Sequence, residues 1–548
     1  MRNCAPGLRR PHKVKKTWGA TLPSEKASLG QYFTPRHVAD LMVSLVRSER
    51  DKPVLEPSAG AGVFVEALYE AGFSNITAVE IDPSLAKYAN AKTEHRSFVS
   101  WQPSTKFSAV IGNPPYIRWK NLGTDQRVEI QASQHWGKLF NSLSDYLMVF
   151  IVNAVDALAD DGELIFITPS FWFHTQHAAP VREFLRSCGG ITDIVSFGES
   201  RVFEKVSSAI VIFRFVKTGK PSRSIRLFHY VGGRTLPPNL SLRSAKQFSR
   251  SEIPQFGASS NAHWTLADQE SQDRLDLFES WASHVEESTE LFVDGPKRAR
   301  LGEFVQIANG MVSGLDRAFK VPPDLIDSLT RDEKAVIRRV AKGVNLKRFL
   351  TQDFTWYIDI PSGLPESVVR ARYPNLIRHL EQFREDLEKR YSYGKSLPFW
   401  EWAFRRSEKF LTSKTTKIFV PCKERMTNKA HARFCLAPEN CTATQDVSAL
   451  APLESTRESV YYIAAFLTLD EVSRWITKRG LMKGGIAEFS ERPIASIPFR
   501  PIDWSNSNER ESHNKIVTFV LSALSGSDSD LALREIRQVF TSELGLPT

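Results

Sequence analysis

Between residues 30 and 220, short apolar runs alternate with stretches whose apolar residues recur every three to four positions. Positions 36–46 (RHVADLMVSLV), 63–70 (VFVEALYE), 145–159 (DYLMVFIVNAVDALA) and 180–187 carry the helical spacing. The run that ends at Glu56, then 76–80 (ITAVE), 107–112 (FSAVIG), 163–168 (ELIFIT), 191–197 and 209–215 (AIVIFRF), are short and apolar and predict strands. Strand–helix alternation over this length predicts an α/β domain built on a doubly wound parallel sheet with helices on both faces.

Beyond residue 217 the pattern loosens. Residues 217–262 are rich in Ser, Pro, Gly, Arg and Asn and read as a linker or irregular region, with 209–215 the last clear strand of the first half. Residues 264–300 look helical and charged, and from about 300 onward short strand candidates mix with helices. The expected organisation is a basic tail (1–25), an α/β domain (26–220), a connector (221–299) and a mixed α+β domain (300–548). A length of 548 residues suits two or three domains.

Composition narrows the class. Hydrophobic residues make up 42% and charged residues 24%, as in soluble globular proteins. No uncharged apolar run reaches the roughly 18 residues that a membrane span needs, so no membrane is expected. The basic start (Arg2, Arg9, Arg10, Lys13, Lys15, Lys16) has no apolar stretch behind it, which argues against a secretory signal and leaves a tail or an arm touching phosphate. Cys4, Cys188, Cys422, Cys435 and Cys441 fit no zinc spacing; free thiols in a reducing cytoplasm, and no metal, are expected. A net charge of +10 is compatible with a polyanionic partner.

Two segments carry chemistry. In 54–64 (VLEPSAGAGVF) a strand delivers the chain to a turn where Gly60 and Gly62 permit sharp geometry and close ligand approach, and a helix then offers free N–H groups to an anion. Glu80 ends the next strand, where an acid can accept both ribose hydroxyls. Such a turn also fits a nicotinamide cofactor or an ordinary strand-to-helix turn; Glu56, placed to meet the amino group of a sulfonium cofactor, tilts the choice. The second segment, Ile111-Gly112-Asn113-Pro114-Pro115-Tyr116, follows a strand and forms a stiff loop. The Asn113 amide oxygen and the Pro114 carbonyl are two acceptors, and Tyr116 is a flat face. An aromatic amine is a poor nucleophile because its lone pair is delocalised. Two acceptors on its N–H groups can favour a pyramidal nitrogen while the aromatic ring stacks on the base.

On these segments the chain resembles the gamma-type N6-adenine DNA methyltransferases of bacterial type II restriction-modification systems, the NPPY family. The resemblance is good over about 30–215 and looser over 300–500. It implies a Rossmann-like doubly wound methyltransferase sheet followed by a target-recognition domain, with S-adenosylmethionine as cofactor and double-stranded DNA as substrate. It also implies a cognate restriction endonuclease as functional partner. Residues 30–35 (GQYFTP) resemble the N-terminal cofactor motif, which includes Tyr32 and places Thr34 near the methionine carboxylate. Glu56 and Gly60 resemble the first cofactor loop, and Glu80-Ile81-Asp82-Pro83 the ribose segment, with Ile81 beside the cofactor adenine. Asn113, Pro114 and Tyr116 resemble the catalytic loop, and Asp145-Tyr146 opens a helix near the cofactor. Val202-Phe203-Glu204 resembles the segment whose aromatic holds the extruded adenine, so Phe203 is expected to face Tyr116. One position departs: in Arg96-Ser97-Phe98-Val99, Ser97 stands where the family has an acid, while Phe98 is kept as a stacking residue.

In the second half, 301–304 (LGEF) through 310–316 (GMVSGLD), and 443–447 (ATQDV), resemble segments of family recognition domains. Tyr391, Tyr393, Lys395, Phe399, Trp400, Trp402, Phe404, Arg405 and Arg406 interleave aromatics with charge, as a DNA surface or as core. The cations of 405–433 are candidate phosphate contacts or solvated side chains. Competing readings are a methyltransferase acting on RNA or protein glutamine through the same loop, and a non-catalytic DNA-specificity subunit. A fused nuclease is disfavoured, because only about 30 residues precede the first cofactor motif.

Overall fold

A computed structural model of the chain describes residues 33–85, 88–203, 209–256, 264–282, 299–350, 353–390, 394, 397–437, 440–483 and 485–547. The chain divides into two compact units. The first runs to Thr168 and takes in Val216–Thr218; the second comprises Pro169–Phe215 and the chain from Gly219 onward. The division falls inside the stretch read from sequence as one domain over 26–220.

The first unit contains α1 (Arg36–Val43), β1 (Val54–Glu56), α2 (Val63–Glu70), β2 (Ile76–Glu80), β3 (Lys92–His95), β4 (Phe107–Gly112), α3 (Thr124–Gln131), α4 (Tyr146–Ala157) and β5 (Leu158–Pro169, its last residue belonging to the second unit). The strands lie in the order β3-β2-β1-β4-β5, and every neighbouring pair is parallel. The chain moves outward from β1 to β3 and then returns to the other side of β1 for β4. That reversal opens a crevice at the carboxyl ends of β1 and β4, the usual ligand position in such sheets. β1 and β2 are buried at every position, as parallel strands covered on both faces must be. α4 is apolar nearly all round, and 10 of its 12 residues are buried. β3 (KTEH) was not expected, because it has no apolar residue; it pairs only at the sheet's edge, through its backbone.

The second unit begins with α5 (Ala179–Cys188), β6 (Gly189–Ser196), β7 (Ile210–Lys217, its last two residues belonging to the first unit), β8 (Ser224–Tyr230), β9 (Phe248–Pro254) and α6 (Gln269–Ala282). Strands here run β7-β6-β8-β9, with β6 and β8 parallel and β8 and β9 antiparallel. The irregular reading of 217–262 is therefore corrected: β8 and β9 lie there. β9 exposes four consecutive residues, Ser249–Glu252, and so carries no alternating apolar signal. Asp193 of β6 is buried between Arg214 of β7 and Arg226 of β8, tying three strands together.

The rest of the second unit is mixed α+β. A five-stranded sheet runs β10 (Val305–Asn309), β18 (Val447–Pro452), β14 (Ile418–Pro421), β16 (Cys435–Leu436), β12 (Phe349–Leu350). A three-stranded sheet runs β13 (Thr355–Ile358), β11 (Ile337–Ala341), β17 (Cys441–Ala443), and another runs β15 (Lys423–Arg425), β20 (Ile486–Glu488), β19 (Met482–Lys483). The helices α7 (Val460–Leu467), α8 (Asp470–Arg479), α9 (Ser507–Leu524) and α10 (Ser529–Ser542) share one core with α6, centred on Phe278, Tyr462, Phe466 and Phe540. A second core gathers Phe319, Tyr357, Trp400 and Trp402. Among the described residues no helix is long and apolar enough to cross a membrane.

Candidate active site

β1 delivers the chain to the glycine turn, where Gly60 and Gly62 sit at φ +52° and +83°, the left-handed region that favours glycine. The Gly60 N–H donates to Glu80 Oε2 at 2.7 Å, and the Asp82 N–H donates to Oε1 at 2.9 Å. Two backbone donors thus fix the Glu80 carboxylate at the end of β2, and each oxygen keeps a lone pair for a further donor. Tyr88 braces the turn from beneath: its hydroxyl donates to the Gly60 carbonyl, and a Cβ on Gly62 would lie 2.7 Å from its ring.

Glu56 is fully buried and accepts the Ser58 N–H at 3.2 Å through Oε1. Its Oε2 has no hydrogen-bond partner among the described residues. Gly112 packs against this carboxyl so closely that a Cβ there would lie 2.5 Å from Oε1. Burial pushes Glu56 well above the usual carboxylate range; the Ser58 hydrogen bonds oppose this and the charge of Glu80 adds to it.

Asn113 follows β4 directly. Its Nδ2 donates to Thr34 Oγ1 at 3.1 Å, its Oδ1 accepts from the Tyr116 hydroxyl, and its backbone carbonyl accepts from Ser58 Oγ at 3.2 Å. The Tyr116 hydroxyl also lies 2.7 Å from the Ile167 carbonyl. The amide is therefore oriented from both ends, with its oxygen turned toward the tyrosine.

A cleft opens beside these groups, with about 770 Å³ of empty volume, solvent at its mouth included. Gly60, Glu80 and Ile81 line one part of it, and Asn113 and Pro114 another. Ile81 is 50% exposed, while Phe98 lines the cleft from a buried position against Phe150, 5.2 Å away. Ser97 reaches the cleft with Gln126 and Tyr146; its Oγ accepts the Val99 N–H at 3.2 Å and is hydrogen-bonded to the Tyr146 hydroxyl. The wall that lacks the expected acid thus carries three neutral polar groups beside Arg96.

The structure brings Gly60, Glu80, Ile81, Phe98, Asn113 and Pro114 to one cleft. Thr34 lies behind Asn113, and Glu56 lies beneath the turn, off the cleft wall. Phe203, in the second unit, is buried. Tyr32, Glu204, Tyr391, Tyr393, Lys395, Cys4 and the N-terminal basic residues lie outside the described residues.

Farther along, Phe399, Trp400 and Trp402 are core rather than surface. Arg405 pairs with Asp359 at 2.6 Å, and Arg406 donates to the Gly310 carbonyl at 2.7 Å. Phe404 is the partial exception, at 38% exposure. In 405–433, Lys417 is buried and donates to backbone carbonyls, and Lys429 and Arg433 both pair with buried Glu424. Lys409, Lys414 and Lys423 are exposed. Cys188, Cys422, Cys435 and Cys441 are free thiols, those of Cys435 and Cys441 pushed up to about 12 by burial. Among the described residues no group of three or more His, Cys, Asp or Glu could hold a metal ion.

Two family models match the chain: the Eco57I restriction-modification methylase over residues 63–203, and the N-6 DNA methylase over residues 20–71. The type II methyltransferase M.HindII of Haemophilus influenzae is 36% identical over 519 residues, covering 94% of this chain and 97% of that protein. The chain belongs to the N6-adenine DNA methyltransferases of type II restriction-modification systems. M.HincII, also from Haemophilus influenzae, is 35% identical over the same share of both chains. The type IIL restriction-modification enzyme MmeI, solved in complex with DNA, is 11% identical and shares the fold with a TM-score of 0.59 over 94% of this chain and 73% of that one. The methyltransferase is thus a site-specific, adenine-specific DNA-modifying enzyme with a Rossmann-like sheet.

Sequence reasoning missed several neighbours of this site in the methyltransferase. Phe33 lines the cleft beside the motif residue Thr34. Tyr88, Gly112 and Gln126 gave no local signal, because their roles come from contacts with Gly62, 26 positions away, with Glu56, 56 positions away, and from a shared cleft wall.

Proposed function

We propose that this methyltransferase moves the methyl group of S-adenosylmethionine to N6 of an adenine flipped out of a specific duplex sequence. The modified site is then protected from a cognate restriction endonuclease. The observation that supports this reading best is that the Glu80–Ile81 wall and the Asn113–Pro114 corner line the same cleft.

The residues present fit the cofactor: a glycine turn open to a close approach, a carboxylate with spare lone pairs, apolar faces at Ile81 and Phe98, and a buried Glu56 oxygen awaiting a donor. Bound, S-adenosylmethionine supplies an electrophilic methyl on a cationic sulfur. We assign Glu80 to its ribose hydroxyls, Ile81 and Phe98 to its adenine, Gly60 to the turn beneath it, and Tyr32, Thr34 and Glu56 to its amino-acid end. Asn113 Oδ1 and the Pro114 carbonyl accept the two N–H groups of the target amine and turn its lone pair outward. The amine takes over the Oδ1 acceptor that Tyr116 holds in the free protein, while the Tyr116 ring stacks on one face of the base. Residues 26–220 carry the catalytic role in this reading, and 300–548 choose the site.

The test is to incubate purified chain with methyl-tritiated cofactor and duplex DNA and to digest the product to nucleosides. N6-methyldeoxyadenosine is the expected labelled product. Label in RNA or in protein glutamine instead, or none in DNA, rejects the reading.

A further inference from the structure

Two segments that resemble recognition-domain sequence, 310–316 and 443–447, meet at one lysine. Lys342 Nζ lies 2.6 Å from Asp316 Oδ2, 2.8 Å from Asp446 Oδ1 and 2.7 Å from Thr444 Oγ1. Thr444 donates to Asp446 Oδ1 at 2.7 Å, and Ser313 donates to Asp316. Gly310 packs on the same turn: a Cβ there would lie 2.1 Å from the Thr444 carbonyl, and the Met311 N–H donates to the Ala443 carbonyl at 3.0 Å.

This knot holds two loops together. The Gly343 N–H donates to Asp446 Oδ2 at 2.8 Å. Arg433, anchored on buried Glu424, donates to the Gly343 carbonyl at 2.9 Å and to the Leu346 carbonyl at 3.0 Å. The loop 342–346 and the turn 444–446 are therefore pinned by their backbones and by the side chains of Lys342, Thr444, Asp446 and Arg433. Two exposed side chains lie outside the network, each one residue along the chain from the Gly343–Asp446 hydrogen bond. Val344 is 88% exposed, the most exposed large hydrophobic of the described residues. Gln445 is exposed and makes no side-chain hydrogen bond among the described residues.

A partly buried ion network is a poor source of stability, since well-packed apolar residues would serve as well; its value is one fixed geometry. Here that geometry presents an amide and a methyl pair to solvent. A glutamine amide matches the N6/N7 edge of adenine in the major groove, and a small apolar side chain matches the thymine methyl. We propose that Gln445 and Val344 are base-reading residues: Gln445 recognises the major-groove edge of an adenine other than the one methylated, and Val344 packs against a thymine methyl. This rests on the reading of the chain as a duplex-DNA methyltransferase, and it assigns site choice to the turn that the Lys342 knot holds rigid.

The experiment uses the full chain. The methylated sites of the wild type and of Gln445→Ala, Val344→Ala and Val368→Ala are mapped by sequencing, with thermal melting as a check of folding. kcat/KM is then measured on duplexes altered one position at a time. Val368, an exposed valine on a helix elsewhere in the second unit, is the control and keeps the wild-type site set. Gln445→Ala lowers discrimination at one A·T pair by roughly ten- to a hundredfold, so that new sites appear. On wild type, 7-deazaadenine at that pair reproduces the loss. Val344→Ala loses a few-fold preference for one thymine, and replacing that thymine by uracil removes the difference between variant and wild type. An unchanged site set and unchanged preferences in both variants overturn the proposal, as does a uniform loss on every sequence, which would mark a backbone contact. A wild type that methylates no duplex at all rejects the proposed function instead, so the two failures are distinguishable.

Discussion

Asn113 is held by its nitrogen end on Thr34 and offers its oxygen end to Tyr116, so the polarity of one amide is set before any substrate arrives. Asn113→Ala is expected to lower the single-turnover methylation rate by about a hundred- to a thousandfold, as for other lost hydrogen-bond partners of a reacting group. DNA binding, read by gel shift, stays. Thr34→Val removes the acceptor that orients the amide and a hydroxyl assigned to the cofactor's amino-acid end; a fall in kcat together with weaker cofactor binding is expected, and calorimetry of cofactor binding checks the second half. Glu56 supplies a pH test. Its carboxyl titrates higher in the folded chain than in the unfolded one because burial disfavours the charge. As pH rises above the ordinary glutamate range, the unfolded state ionises first, and wild-type stability falls. Glu56→Gln removes that dependence, so its stability relative to wild type should grow with pH in urea denaturation series; a parallel pair of curves would refute it. Gly60, Glu80 and Asn113 were legible because each is the required residue type at a fixed place in a strand–turn pattern. Tyr88 and Gln126 were not, since their meaning comes only from what they touch.

At the scale of elements, the apolar strands of the first unit and its helices α1, α2 and α4 were readable from their apolar runs and spacing, whereas α3, with Ile130 alone buried, left no such pattern. β3, β8 and β9 were hidden for the complementary reason: edge or half-solvated strands interrupt their apolar residues with Lys, Arg, Ser and Glu, which on sequence alone look like loop. What fixes β8 beside β6 is in part a charge. Asp193→Ala would leave Arg214 buried without that carboxylate, and a loss of about 3–5 kcal/mol in chemical denaturation is expected. Gly112→Ala places a methyl group against the Glu56 carboxyl at the end of β4, and about 1–3 kcal/mol of destabilisation is expected from overpacking, read in the same assay. The aromatic and cationic run at 399–406 fitted a DNA surface or a core equally on sequence, and the structure places Phe399, Trp400 and Trp402 in the core of the second unit.

For the whole molecule, the net charge of +10 gives DNA binding a strong electrostatic share. If about six to ten phosphates are neutralised, affinity for an arbitrary duplex should fall by roughly 10³- to 10⁵-fold between about 50 and 200 mM salt. Cofactor affinity should change far less, and titrations of the two ligands across the same salt series check both. Many cations of 405–433 take no part in this, because Arg405, Lys417, Lys429 and Arg433 are spent on internal partners. The sequence by itself determined the α/β class, the order of the cofactor and catalytic motifs, and the family to which they point, because these are set by local residue types at strand ends. Only the tertiary structure decided which cations remain free, which polar strands complete the second unit, and that Lys342 joins the segments around 310–316 and 443–447. Those outcomes depend on contacts between residues far apart in the chain, and no local pattern of apolar and polar positions encodes them.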